Sequence, residues 1–438
     1  MSSNHIFSES YAIEQDAQDS LKHFRKKFLF PQHNGRPARQ SVGNNVSAGG
    51  DVIYFCGNSL GLQPASTAKY IQQELDDWAK FGVEAHFSST KPWVDYHELF
   101  PKPLSKLAGA LPEEVVAMNQ LTSNIHFLFV TFYRPTKERY KILCEAGAFP
   151  SDRYAVDSQV KFHGYNPFDA VVEITPRAGE HAIRHEDILS AIEKNKNELA
   201  LVFIIGVNYY SGQVFDMKAI TEAGHKAGAM VGFDLAHAIG NIKLSLHDWN
   251  VDFAAWCTYK YLNSGPGSVG GAFIHERHAK NTSLPRFAGW WGHDKSLRFK
   301  IGKEFHAMPT AEGWQLSNAP VLSMAAHKAA LDIFDEAGMD ALIEKSKKLT
   351  GYLEFIIDQV NFKLQTSNFK LEIITPKERG CQLSIVAHGL GKSLHEKLSA
   401  NGVIADWREP NVIRCAPVPL YNSFEDIYRF GETLSRII

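Results

Sequence analysis

Val231-Gly-Phe-Asp-Leu-Ala-His237 is the stretch whose reading decides the fold. A short apolar run ends on Asp234 and passes at once into a loop, the pattern of a buried strand with a carboxylate at its carboxyl end. A second apolar run, 251–257, is followed directly by Thr258-Tyr-Lys-Tyr261, so Lys260 arrives in the equivalent place 26 positions after Asp234. In a parallel α/β sheet the carboxyl ends of the strands share one edge, and ligands collect along it.

Working outward, short apolar strands alternate with amphipathic helices. Strands are expected at 52–55, 115–118, 142–145, 170–174, 199–205, 230–234, 253–257 and 271–274, and helices at 185–196 and 216–227, with Ile71, Leu75 and Trp78 marking the apolar face of another. This rhythm predicts an α/β fold: a large domain with a mainly parallel sheet flanked by helices. Beyond 274 the pattern changes to long helices, 321–336 and 339–360, then strands near 370–374, 381–386 and 412–415, which predicts a smaller α+β domain. The expected boundaries are an N-terminal segment 1–50 joining the small domain, a large domain 51–320 and a small domain 321–438. The Gly-, Asn- and Ser-rich stretch 32–51 reads as an exposed connection, with organised structure beginning at Val52.

A chain of 438 residues with 44% hydrophobic and 21% charged residues has ample material for two cores. A formal charge of −2 with no long basic run gives no footprint for nucleic acid. The N-terminus is polar and acidic, unlike a secretory signal, and the longest apolar run, 199–207, is too short to cross a bilayer. The five cysteines, Cys56, Cys144, Cys257, Cys381 and Cys415, are scattered and lack any C-x-x-C pairing. These features predict a cytoplasmic protein, not membrane-bound, acting on a small molecule.

Asp234 alone would serve equally as a helix cap, and Lys260 alone as an exposed loop lysine. Together they match the needs of pyridoxal 5'-phosphate, which takes a lysine amine as its covalent anchor and an acid beside its pyridine nitrogen. Gly265-Pro-Gly-Ser-Val-Gly270 formally fits G-x-G-x-x-G, but a strand follows it and Pro266 sits inside it, so it reads as a tight turn. Asn119-Gln-Leu-Thr-Ser-Asn124 opens a helix after a strand and offers free amides to a phosphate, or simply a Thr or Ser cap. Phe149-Pro-Ser-Asp152 follows another strand and offers either a ring to cover a flat cofactor or a core phenylalanine. The 19 histidines show no compact metal-binding spacing, and no metal is expected.

The blocks Tyr54-Phe-Cys-Gly-Asn-Ser-Leu-Gly-Leu-Gln-Pro64, Gly232-Phe-Asp-Leu-Ala-His-Ala-Ile-Gly-Asn241, Tyr259-Lys-Tyr-Leu-Asn263, Gly289-Trp-Trp-Gly-His293 and Ala416-Pro-Val-Pro-Leu-Tyr-Asn422 resemble the kynureninase family. That family lies within the aspartate-aminotransferase-like group of pyridoxal-phosphate enzymes (fold type I), and the likeness runs from Tyr54 to about Leu420. The resemblance implies that Leu121, Thr122 and Tyr259 hold the phosphate. It has Phe149 stack on the ring, beside Pro150 and Ser151, with Asp152, Asp234 and His237 framing the pyridine. Trp290 and Asn318 would complete the cofactor pocket. Ser59, His86, Ser317, Asn318 and Arg414 would contact substrate, with Arg414 clamping its carboxylate, and Ser317 and Asn318 are alternatively caps for the helix near Pro320. Lys260 is implied as anchor and base, and Tyr259 as a proton relay. The implied reaction is hydrolysis of L-kynurenine, or its 3-hydroxy form, to an anthranilate and L-alanine, within tryptophan catabolism leading to anthranilate or NAD biosynthesis. The implied assembly is a homodimer with its active site at the interface. Ile205 departs from a small hydroxyl residue frequent in relatives. An aminotransferase, a cysteine desulfurase and a non-catalytic binding protein of the same fold are the alternatives.

Overall fold

The computed structural model describes residues 6–32, 52–300, 302–364 and 368–438. Most of the expected connection, 33–51, lies outside them. Structure does not wait for Val52: a helix, Glu9–Gln18, and a two-residue strand, β1 (Phe28–Leu29), precede it. The helix escapes a search for apolar periodicity because Ala12 is its only buried residue.

The remaining strands in chain order are β2 (Ile53–Tyr54), β3 (Gln63–Pro64), β4 (Val115–Ala117), β5 (Lys141–Glu145), β6 (Val171–Ile174), β7 (Leu199–Ile205), β8 (Met230–Asp234), β9 (Phe253–Trp256) and β10 (Gly271–Ile274). They continue as β11 (Lys370–Ile373), β12 (Leu383–His388), β13 (Val403–Ile404), β14 (Asp406–Arg408) and β15 (Val412–Cys415). Seven of them form the central sheet in the order β4-β10-β9-β8-β7-β5-β6. The pairs β9/β8, β8/β7, β7/β5 and β5/β6 are parallel, and only β10 runs against both neighbours. Parallel strands need buried faces, and the uninterrupted apolar runs of β7 and β9 supply them.

A four-stranded antiparallel sheet, β11-β12-β15-β14, is covered by the helices Met339–Lys363 and Phe424–Ile437, with a second core that includes Ile356, Leu383, Ile413 and Phe430. Three expectations are corrected. The strand near 52–55 is not part of the central sheet, because β2 pairs in parallel with β13. The strand expected at 381–386 begins at Leu383, since the Cys381 amide donates to Asn241 Oδ1 (2.9 Å) instead of entering the ladder. The helix Thr67–Phe81 packs only part of its apolar stripe inward: Ile71 lies against the core, but Trp78 is 59% exposed while Glu74 and Asp77 are buried. Glu74 can face inward because Trp93 Nε1 and the Tyr96 hydroxyl donate to it.

Candidate active site

The carboxyl ends of the parallel strands do converge. β8 delivers Asp234 and His237, β9 delivers Cys257, Tyr259 and Lys260, β7 ends on Ile205 and β5 on Glu145. Around them lies a cavity of about 310 Å³, lined by Leu121, Thr122, Phe149, Ser151, Asp234, His237, Tyr259 and Lys260 among others. That volume suits a small cofactor.

Lys260 Nζ lies 3.0 Å from His237 Nε2 and 5.9 Å from the centre of the Phe149 ring. Burial first, then the charge of Lys260, holds the His237 imidazole well below its ordinary pKa, so the ring is neutral and its Nε2 can accept from Lys260 Nζ. His237 Nδ1 is then a buried donor without a partner. Asp152, on the first turn of the helix Pro150–Phe162, hydrogen-bonds Asp234. Burial and that neighbour push the Asp152 carboxyl well above the usual range. Burial likewise pushes Glu145 to about 8, with Asp234 adding to the effect. Tyr259 is also raised, by burial and then by Cys257, so its phenol keeps its proton at neutral pH.

The 119–124 stretch opens a helix, as expected. The helix Leu121–Phe132 begins after Gln120 with no side-chain cap, so its first amides face the cavity unclaimed by a Thr or Ser hydroxyl. Gly265 (φ +93°) and Gly267 (φ +65°) take left-handed conformations that let the chain turn after Lys260 and bring Gly267 and Ser268 to the cavity wall.

These residues fit pyridoxal phosphate on the structure's own terms. There is an amine beside an imidazole nitrogen, a cavity walled by an aromatic ring, and free amides for an anion. The buried Asp152–Asp234 carboxyl pair, near the charge of Lys260, would also answer a pyridinium N–H.

Arg414 lies on β15 and is fully buried. Its Nη1 donates to the Tyr209 carbonyl (2.7 Å) and its Nη2 to Ser59 Oγ (3.0 Å), and burial lowers its pKa to about 10. Ser59 and Arg414 are thus together. His86, Trp290, Ser317 and Asn318 do not join them within one chain. His86 bonds the Val83 carbonyl (3.0 Å) and packs edge-on to Trp93. Trp290 is 53% exposed and donates to the Arg298 carbonyl (2.7 Å). Ser317 and Asn318 line a separate cavity of about 400 Å³ that shares Gln120, Ser123 and Gly267 with the first. They do not cap the helix Val321–Ala337, which starts at Pro320 without a side-chain bond.

Sequence reading passed over Glu145, whose place at a strand end was the available signal. It also passed over Asp406, which hydrogen-bonds Ser59. Among the described residues, Glu114, His247 and His275 bring metal-capable atoms within 4.8 Å of one another. They sit at the opposite edge of the sheet, where Glu114 already accepts from His247 Nδ1 (2.9 Å) and the Glu276 amide (2.8 Å).

The fold is shared with solved structures far apart in sequence. A C-DES variant with glycine covalently linked to its PLP cofactor superimposes with a TM-score of 0.73 at 14% identity, over 87% of this chain and 96% of that one. A cysteine desulfurase from Thermococcus onnurineus gives 0.72 at 16% identity, over 89% and 95%. Fold and site together define a pyridoxal-phosphate enzyme of fold type I. Sequence comparison narrows this further. A kynureninase from Flavobacterium psychrophilum is 57% identical over 97% of both chains, one from Myxococcus xanthus is 54% identical over 98% of this chain and 96% of its own, and one from Nematostella vectensis is 48% identical over 99% and 95%. The model of the kynureninase C-terminal domain matches residues 342–434. The chain belongs to the kynureninase family.

Proposed function

We propose that the enzyme hydrolyses L-kynurenine, and its 3-hydroxy form, to anthranilate or 3-hydroxyanthranilate and L-alanine. The observation that carries this is one neighbourhood of groups: Lys260 at His237, the buried Asp152–Asp234 carboxyl pair, and the buried guanidinium of Arg414 close enough for its charge to act on His237. When bound, pyridoxal phosphate supplies covalent capture of the substrate amine and a ring that accepts electrons from its carbon skeleton. Leu121, Thr122 and Tyr259 hold the phosphate, Phe149 covers the ring beside Pro150 and Ser151, and Asp152, Asp234 and His237 orient its nitrogen edge. Arg414 and Ser59 take the α-carboxylate. Lys260 Nζ removes the α-proton, water adds to the γ-carbonyl, and the Cβ–Cγ bond breaks to release the aromatic acid. Tyr259, protonated at neutral pH, returns a proton to the alanine fragment.

Incubation with kynurenine and no added keto acid should yield fluorescent anthranilate and equimolar alanine, which an aminotransferase would not give. Lys260→Ala should lower turnover by several orders of magnitude while the chain stays folded. Near-normal anthranilate production by that variant would refute the assignment.

The working form is a homodimer in which Trp290, Asn318, Ser317 and His86 complete the neighbouring subunit's site. Trp78, Phe87, Trp290 and Phe299 are each more than half exposed, and Phe299 packs against both Phe87 and Trp290, leaving an aromatic surface suited to a second copy. Specific activity should fall on dilution in step with the dimer fraction seen by sedimentation. Constant activity in a purely monomeric sample would disprove shared sites. No helix among the described residues is long and apolar enough to cross a membrane, and all five cysteines are free, which suits a reducing cytoplasm.

A further inference from the structure

Asp406 on β14 stands directly across from Arg414 on β15, so the register of the antiparallel pair keeps both side chains on one face. A single oxygen of Asp406, Oδ2, does three things. It accepts from Ser59 Oγ at 2.7 Å, pairs with Arg408 Nη2 at 3.0 Å, and contacts Arg414 Nη2. Arg414 Nη2 also donates to Ser59 Oγ, and Nη1 to the Tyr209 carbonyl. The guanidinium is therefore held from two sides, yet its Nε remains a buried donor without a partner, so the protein's own acceptors do not saturate the fork.

A guanidinium recognises a carboxylate through a planar pair of donors, and that plane must be fixed before the ligand arrives if ordering is not to cost affinity. A buried cation also needs a compensating charge when the site is empty. Both requirements converge on the same carboxylate. We infer that Asp406 is the positioning residue of the carboxylate clamp, fixing Arg414 and Ser59 through one shared oxygen. This rests on the reading of Arg414 as that clamp. Asp406 is not a catalytic residue: it lies behind the groups that touch the substrate and plays no part at Cα or Cγ.

Asp406→Asn keeps the size and loses the charge. It should raise KM for kynurenine about tenfold, leave kcat within about twofold, and weaken competitive inhibition by L-alanine in parallel. Inhibition by the decarboxylated amine of the substrate, which has nothing for Arg414 to grip, should not change. Should that variant fail to fold, Asp406→Glu, which moves the carboxylate by one methylene, is read the same way. An unchanged KM, an equal loss in kcat, or equal weakening of the decarboxylated inhibitor would overturn the inference. Arg414→Lys separates the two layers. If it leaves KM unaltered, the clamp reading itself fails; if it raises KM sharply while Asp406→Asn does not, only the role of Asp406 falls.

Discussion

Glu145 is an acid on the last position of β5 that accepts the Ile205 amide at 3.3 Å and otherwise faces the Asp152–Asp234 pair. Burial raises its pKa to about 8, well above the ordinary glutamate value near 4.3. A carboxyl that holds its proton more tightly when folded favours the folded state fully at low pH. That advantage drains as pH rises from about 4.3 toward 8. Glu145→Gln, a permanently neutral isostere, should therefore flatten the decline in denaturant stability of the cofactor-free protein across that interval. An unaltered stability profile would show that Glu145 is ionised in place. Lys260 and Asp234 were legible in the sequence because each closes a short apolar run, and strand ends share an edge whatever the rest of the fold does. Glu145 closes such a run too, but only the packing of β7 and the neighbouring helix onto it makes that acid unusual. Asp406 was illegible for a related reason: its meaning lies in which residue the register sets opposite it.

At the scale of elements, the far edge of the central sheet is fastened by Asp252, at the entry to β9. Its carboxylate accepts from the Val231 amide at 2.7 Å, His225 Nε2 at 2.9 Å, His278 Nε2 at 2.7 Å and Arg277 Nη2 at 2.6 Å. It thereby joins β8, β9 and the segment after β10. Although burial opposes ionisation, the hydrogen bonds from His225 and His278 win and hold the carboxyl far below its usual range. A depressed carboxyl contributes stability above the unfolded value near 3.9 and loses it as pH falls. Asp252→Asn should cost about 3–5 kcal/mol in urea unfolding at pH 7. The gap from the parent should narrow on acidification below pH ~4; a variant as stable as the parent at pH 7 would contradict this account. The strands of this sheet were readable from their apolar runs to within a residue or two. β13 and β14 were not, since two or three residues carry no period. The helix Phe424–Ile437 carried both a Ser423–Asp426 capping box and apolar residues at helical spacing, Phe424, Ile427, Phe430 and Leu434, yet the sequence reading passed over it. The helix Thr67–Phe81 misled in part because an apolar stripe states only that something covers it, and here the core covers Ile71 but leaves Trp78 exposed.

For the molecule as a whole, substrate choice and assembly are one question. Ser317 and Asn318 are free of capping duty and line a cavity that adjoins the one holding Lys260 through Gln120, Ser123 and Gly267. With His86 brought in from a second subunit, they would answer the phenolic hydroxyl of 3-hydroxykynurenine, which both donates and accepts. The unsubstituted substrate would leave them unpaired, at about 1–3 kcal/mol if buried. A higher kcat/KM for 3-hydroxykynurenine is expected from parallel assays on one preparation, and equal or reversed ratios would remove these residues from the specificity pocket. The packing of the helix Glu9–Gln18 against the helix Phe424–Ile437 has a consequence in time. Asp16 caps the helix Phe424–Ile437 by accepting the amides of Phe424 and Glu425, the first of them 408 positions downstream. At roughly 5–20 residues per second on the ribosome, Glu9–Gln18 waits roughly 20–80 s for the helix it will cap.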